Sequence, residues 1–103
     1  MVARGEIWWY EPPRAKRRPY LILTRAAGVP ILTTLVAVPA TTNRRDIASE
    51  VNLGPEHGMP TECALTLDNI STITKAHLTE RITTLSDSTL HEVCRALQFV
   101  VEC

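Results

Sequence analysis

The sequence predicts a mainly β (α+β) domain, a small and strongly bent barrel-like sheet closed by one C-terminal amphipathic α-helix. Three observations carry that prediction. Seven short runs rich in β-branched and aromatic residues are bounded by proline, glycine or polar clusters. Sustained helical periodicity falls at the end of the chain. The whole fits within 103 residues, 45% hydrophobic and 21% charged, which is enough for one core and a single domain spanning 1–103.

Gly5-Glu6-Ile7-Trp8-Trp9-Tyr10 reads as the first strand, with Ile7 and Trp9 on one face and Trp8 and Tyr10 on the other. Large side chains on both faces require cover on both. One side should meet the core, the other a partner subunit, a ligand or a second core face, and which tryptophan faces a partner stays open. Glu11-Pro12-Pro13 ends the strand, because neither proline can donate to a ladder. Tyr20 to Thr24 is nearly continuous in apolar residues, as a doubly covered central strand should be. Arg25 to Pro30 is a turn, and Ile31 to Val38 the third strand, stopped by Pro39.

Glu50-Val51-Asn52-Leu53 alternates polar and apolar, as an edge strand does. Gly54 to Pro60 is a turn cluster in which His57 reads as a solvated surface group. Cys63 to Leu67 and Ile70 to Ile73 are further strands, Thr74 to Leu78 a short helix, and Arg81 to Leu85 the last strand. Ser86-Asp87-Ser88-Thr89 then offers N-caps to a helix whose apolar face carries Leu90, Val93, Cys94, Leu97, Val100 and Val101. His91, Glu92, Arg95 and Gln98 fall on its polar face.

A formal net charge of zero hides an uneven distribution. Residues 1–45 hold eight lysines and arginines against two carboxylates, and residues 46–103 hold three against nine. That asymmetry suggests a basic face for a polyanion. Cys63, Cys94 and Cys103 lack close pairs, and His57, His77 and His91 are scattered, so neither a metal centre nor a cofactor is expected. Cys94 reads as a small buried thiol on the helix. No apolar run approaches the roughly 20 residues that span a bilayer, and Arg4 interrupts any signal-like start, so the expected location is cytoplasmic.

Two basic loops carry the candidate chemistry. The first, Arg14-Ala15-Lys16-Arg17-Arg18-Pro19, joins the first two strands; the second, Thr41-Thr42-Asn43-Arg44-Arg45, follows the third. Guanidinium and hydroxyl groups are the donors that phosphate oxygens recruit, and neighbouring strands would bring both loops to one sheet edge. Solvated turn tips are the plainer reading of the same residues. Composition and periodicity stop at a basic-edged domain of a kind suited to nucleic acid.

Four stretches in order carry a resemblance further: Arg4-Gly5-Glu6-Ile7-Trp8, Arg18-Pro19-Tyr20-Leu21-Ile22-Leu23, Val38-Pro39-Ala40-Thr41-Thr42 and Leu67-Asp68-Asn69-Ile70-Ser71-Thr72-Ile73. Together with the closing helix they resemble the MazF/PemK family of toxin endoribonucleases over almost the whole length. The resemblance implies an SH3-like barrel and a homodimer. It also implies metal-independent cleavage of single-stranded RNA (messenger RNA, with transfer or ribosomal RNA as further targets) at short sequences, and silencing by a cognate antitoxin. Attack of a ribose 2′-hydroxyl would leave a 2′,3′-cyclic phosphate and a 5′-hydroxyl.

On that resemblance Arg18 matches the family's catalytic arginine and Thr41 its threonine. Lys16, Arg17, Thr42, Arg44 and Arg45 are assigned to substrate binding. Many relatives carry Gly-Ser-Glu in the first loop, where a glutamate assists proton transfer; this loop is shorter and lacks it. Glu11 is therefore the candidate base, and stabilisation without a dedicated base is the alternative. Two other readings stand beside the nuclease. One is a gyrase-poisoning toxin of the same fold, although such toxins act through a tryptophan-containing tail where this sequence has Val100-Val101-Glu102-Cys103. The other is an RNA-binding barrel without catalysis.

Overall fold

Two-residue alternation decides how this chain packs. Strand β1 (Glu6–Tyr10) sends Ile7 to one face and Trp8 and Tyr10 to the other, and its neighbours keep the same period. In the computed structural model, which describes residues 1–102, β1 pairs antiparallel with β2 (Arg18–Ile22), and β2 with β3 (Thr34–Thr41). Ile7, Leu21 and Val38 lie opposite one another across the three strands and are fully buried. On the other face Trp8, Tyr20 and Pro39 stand in a row.

Strands β4 (Glu50–Leu53), β5 (Cys63–Thr66), β6 (Ser71–Thr74) and β7 (Leu78–Thr84) complete a seven-stranded antiparallel sheet, followed by helix α1 (Asp87–Val101). Its hydrogen-bonded path runs β4-β5-β3-β2-β1-β7, with β6 paired to β3. The path begins at β4 and ends at β7, so the expected barrel is a bent sheet rather than a closed ring. Strand β4 is an edge, as its alternation predicts.

Each face has its own core. Ile7, Leu21, Val38, Leu53, Leu65 and Leu67 meet Val93 and Ala96 of α1 on one side. Ile22, Val29, Leu35, Ala37 and Ile73 form a smaller cluster on the other, over which Trp8, Tyr10 and Tyr20 lie half-buried. Each fully buried large aliphatic side chain contributes about 1.5–3 kcal/mol. The two-sided hydrophobicity of β1 and β2 is thus met within one chain.

Several boundaries move from their expected places, each for a local reason. The amides of Ile31 and Leu32 donate to the Gly28 carbonyl at 3.1 and 2.9 Å, which holds both residues in an exposed turn and delays β3 to Thr34. Strand β3 then continues through Pro39, because that residue falls between the β6 ladder at 34–37 and the β5 ladder at 40–41, where no donor is demanded. Strand β7 starts at Leu78, opposite Tyr10, and the helix expected over 74–78 shrinks to one 3-10 turn, Lys75–His77. In α1, Ser86 Oγ caps the Thr89 amide at 3.2 Å. Thr89 and Ala96 join Val93 in the buried face, whereas Cys94 is half-buried and Val101 exposed. Cys103 lies outside the described residues.

Gly5 enters β1 with φ +88°, and a Cβ there would stand 2.9 Å from Leu90 Cδ1 of α1. Its amide donates to Ile22 and its carbonyl accepts from Leu85, both at 2.9 Å. Only glycine meets both demands without strain.

Candidate active site

The antiparallel β2–β3 pairing, which sets Tyr20 against Pro39, brings Arg18 at the start of β2 and Thr41 at the end of β3 to the same end of the sheet. Both side chains line one open cleft of about 200 Å³. Arg18 is exposed at the first position of β2 and makes no ion pair among the described residues, so its guanidinium fork is available. Thr41 ends β3, and its Oγ1 accepts the Asn43 amide at 3.1 Å. That turn bond orients the hydroxyl and leaves its proton free to donate.

Sequence reasoning missed the other walls of the cleft. Asn43, Thr66 and Asn69 line it, with Pro39 between them. Thr66 Oγ1 lies 3.5 Å from the Pro39 carbonyl, and Asn69 Nδ2 lies 3.4 Å from Thr66 Oγ1, a loosely bonded chain of donors. Asn69 stood inside a stretch that carried the family resemblance. Thr66 gave no signal of its own; the β5 ladder beside Thr41 brings it in.

The predicted substrate-binding residues part company here. Arg45 lines the cleft, anchored by Nε to Glu50 Oε2 at 2.7 Å, with its two terminal amino groups clear of that bond. Lys16 and Arg18 share a second hollow with Tyr10 and Tyr20. Arg17 stacks over the Trp9 ring at 3.9 Å from its centroid and lies 3.6 Å from Glu11. Thr42 is exposed and is not in the cleft wall. Arg44 points elsewhere: it donates to the carbonyls of Cys63 and Leu53 at 3.0 and 2.5 Å and ties the ends of β4 and β5 together. Glu11 accepts from Thr79 Oγ1 across the β1–β7 side and is not in the cleft wall either.

A different charge cluster sits at the start of β1. Glu6 is buried, and its carboxylate accepts from the Trp8 indole at 2.9 Å, the Ala3 amide at 2.8 Å and Arg81 at 3.2 Å. Burial alone pushes its pKa up, but these hydrogen bonds and the Arg81 charge outweigh burial and hold it below the ordinary carboxylate value. Burial pushes the Cys63 thiol up, against a weaker opposing pull from Arg44, which favours the protonated form. Among the described residues no group of three or more His, Cys, Asp or Glu side chains could hold a metal ion, and no helix is long and apolar enough to cross a membrane.

Fold and cleft together define a class: a small bent-sheet protein that presents guanidinium, hydroxyl and amide donors at one strand end, a set suited to a phosphate group. The chain belongs to the PemK-like, MazF-like toxins of type II toxin-antitoxin systems, whose family pattern matches residues 3–101. It is 38% identical over 104 residues to a probable endoribonuclease, MazF5, of Mycobacterium tuberculosis, covering 100% of this chain and 95% of that one. A second relative from the same organism, the probable endoribonuclease MazF2, is 37% identical over 99% of this chain and 100% of its own. Among solved structures, a mycobacterial endoribonuclease in complex with its cognate antitoxin superposes with a TM-score of 0.87 at 26% identity, covering 99% of this chain and 96% of that one. The Mycobacterium tuberculosis toxin MazF-mt6 does so with a TM-score of 0.86 at 30% identity, over 94% and 96%.

Proposed function

We propose that this chain is a toxin endoribonuclease that cuts single-stranded RNA at the Arg18–Thr41 cleft. One observation carries the reading: a guanidinium and a hydroxyl, both free to donate, face a single open hollow from adjacent strands. Endoribonuclease relatives over the full chain length support it.

In this mechanism the ribose O2′ forms a bond to the adjacent phosphorus as the bond from phosphorus to O5′ breaks. The products are a 2′,3′-cyclic phosphate and a 5′-hydroxyl; the proton lost by the 2′-hydroxyl goes to solvent, and O5′ regains one from solvent. Negative charge gathers on the non-bridging oxygens in the transition state. Arg18 and Arg45 meet that charge and Thr41 holds one oxygen, each preorganised donor being worth roughly 10²- to 10³-fold. None of the cleft's lining side chains is a carboxylate or an imidazole, which favours charge stabilisation over a dedicated base.

The same reading carries two partners. An antitoxin segment of acidic and apolar residues would cover the basic strand end and compete with RNA. A second copy of the chain would cover exposed Leu32 and Val36, which edge an apolar hollow of about 430 Å³ that Leu23, Ile70 and Leu97 also line. Incubation of the purified protein with total RNA in EDTA, with new 5′ ends mapped, tests cleavage, metal independence and sequence preference together. New 5′-hydroxyl ends at a recurring short sequence are expected. Intact RNA that is retarded on a gel would leave a binding protein without catalysis.

A further inference from the structure

Arg18 lines two hollows, one on each side of β2. Arg18 shares one cleft with Thr41 of β3 and is paired on its other side with Tyr10 of β1 in the β1–β2 register. Toward β1 it opens onto a hollow of about 320 Å³ lined also by Tyr20, Pro12, Ala15 and Lys16. That size lies at the lower end of the roughly 300–1,000 Å³ typical of small-molecule sites. The Arg18–Thr41 cleft on the other side is smaller, about 200 Å³.

We propose that the Tyr10–Tyr20 hollow is a nucleobase site, holding the base next to the phosphate seated between Arg18 and Thr41. The inference rests on the nuclease reading for the identity of its ligand. The two rings meet edge to face, centroids 5.2 Å apart at 73°, and form a corner with one flat wall and one side wall. His77 packs edge-on against Tyr10 with centroids 6.2 Å apart, and both tyrosines rest on the smaller core, so the corner is backed by packed side chains. Pro12 adds an apolar wall and Lys16 a cation at the rim. Stacking on an aromatic face with a cation at the backbone is how single-stranded nucleic acid is held.

Tyr20 lines the hollow opposite Tyr10, so both rings are within reach of its occupant.

The test uses the full chain and a fluorescein-labelled heptanucleotide with a 2′-O-methyl group at the scissile nucleotide, so that affinity is measured without cleavage. Its sequence is the mapped cut site, or heptauridylate and heptaadenylate if no cut is found. A parallel set replaces each base in turn by an abasic residue. The protein should lose about tenfold or more in affinity at one position flanking the scissile phosphate and little elsewhere. Tyr20→Leu keeps apolar packing but removes the flat wall; it should bind the intact strand about tenfold more weakly and lose its sensitivity to that abasic position. Tyr10→Leu, read in the same way, serves if Tyr20→Leu does not fold. No abasic penalty at any position, or a penalty equal in the native and variant proteins, overturns the base site. A native protein that shows the penalty yet leaves the unmethylated strand uncut keeps the base site and loses the nuclease. A protein that binds no strand loses both.

Discussion

The two ends of the β1–β2 pair treat charge in opposite ways. At the start of β1, Glu6 is buried and each of its oxygens is engaged, by the Trp8 indole, the Ala3 amide and Arg81. At the other end, opposite Tyr10, Arg18 is exposed and free of ion pairs among the described residues. The same contrast divides the second basic loop, where Arg44 is bound to two carbonyls and Arg45 keeps its terminal amino groups clear at the cleft. A charge whose bonding capacity is filled holds the fold together and has little left for a ligand. One left unfilled on a rigid strand end is available to an anion.

The sharpest way to break that comparison is Arg18→Ala. Cleavage of a single-stranded RNA should fall roughly 10²- to 10³-fold, while the urea midpoint stays within about 0.5 kcal/mol of the native protein. Loss of stability with loss of cleavage would make Arg18 a structural group like Glu6. Arg44→Ala should behave in the opposite way. It leaves the Cys63 and Leu53 carbonyls without their donor, which costs about 1–3 kcal/mol in urea unfolding, and activity per folded molecule should hold.

That division between Arg44 and Arg45 marks where the sequence stops being legible. Alternation along Glu50 to Leu53 and the helical period after Ser86 place β4 and α1, because burial of one face dictates both patterns. The pairing of Arg18 with Thr41 follows from the family resemblance and from two strands being neighbours. Which of two adjacent arginines reaches the cleft depends on the path of residues 42–49, an irregular segment in which no periodicity operates. Thr66 and Asn69 enter the site through the β3–β5 ladder, a long-range pairing that no local pattern encodes. The displaced start of β3 has the same origin: an aliphatic run from Ile31 looks like strand until the turn bonds to Gly28 are known.

A smaller effect sharpens the comparison from the structural side. The folded-state pKa of Glu6 lies below its ordinary value of 4.5, so between the two values the unfolded chain binds more protons than the native one. The stability that Glu6 supplies is complete above the unfolded value and is lost as pH falls through the folded one. Urea midpoints measured from pH 7 down to pH 3 should therefore decline on the acid side. Glu6→Gln should begin lower at pH 7 and flatten that limb, and an unchanged limb would assign the acid sensitivity to other carboxylates.

The smallest expected effect concerns Glu11, the carboxylate nearest the first basic loop. Thr79 and Arg17 occupy it on the β7 side, away from the residues that line the cleft. A positioned base contributes roughly 10²- to 10⁴-fold, so its removal is hard to miss. Glu11→Gln should change the cleavage rate by less than about threefold and leave its pH profile in place. A fall of about 10²-fold, with the basic limb of the profile retained and the acid limb gone, would show that the chain moves to bring Glu11 to the 2′-hydroxyl once RNA is bound. In that case the contrast between filled and open charges would describe the free protein only, and the Thr79 bond would be the contact that substrate breaks.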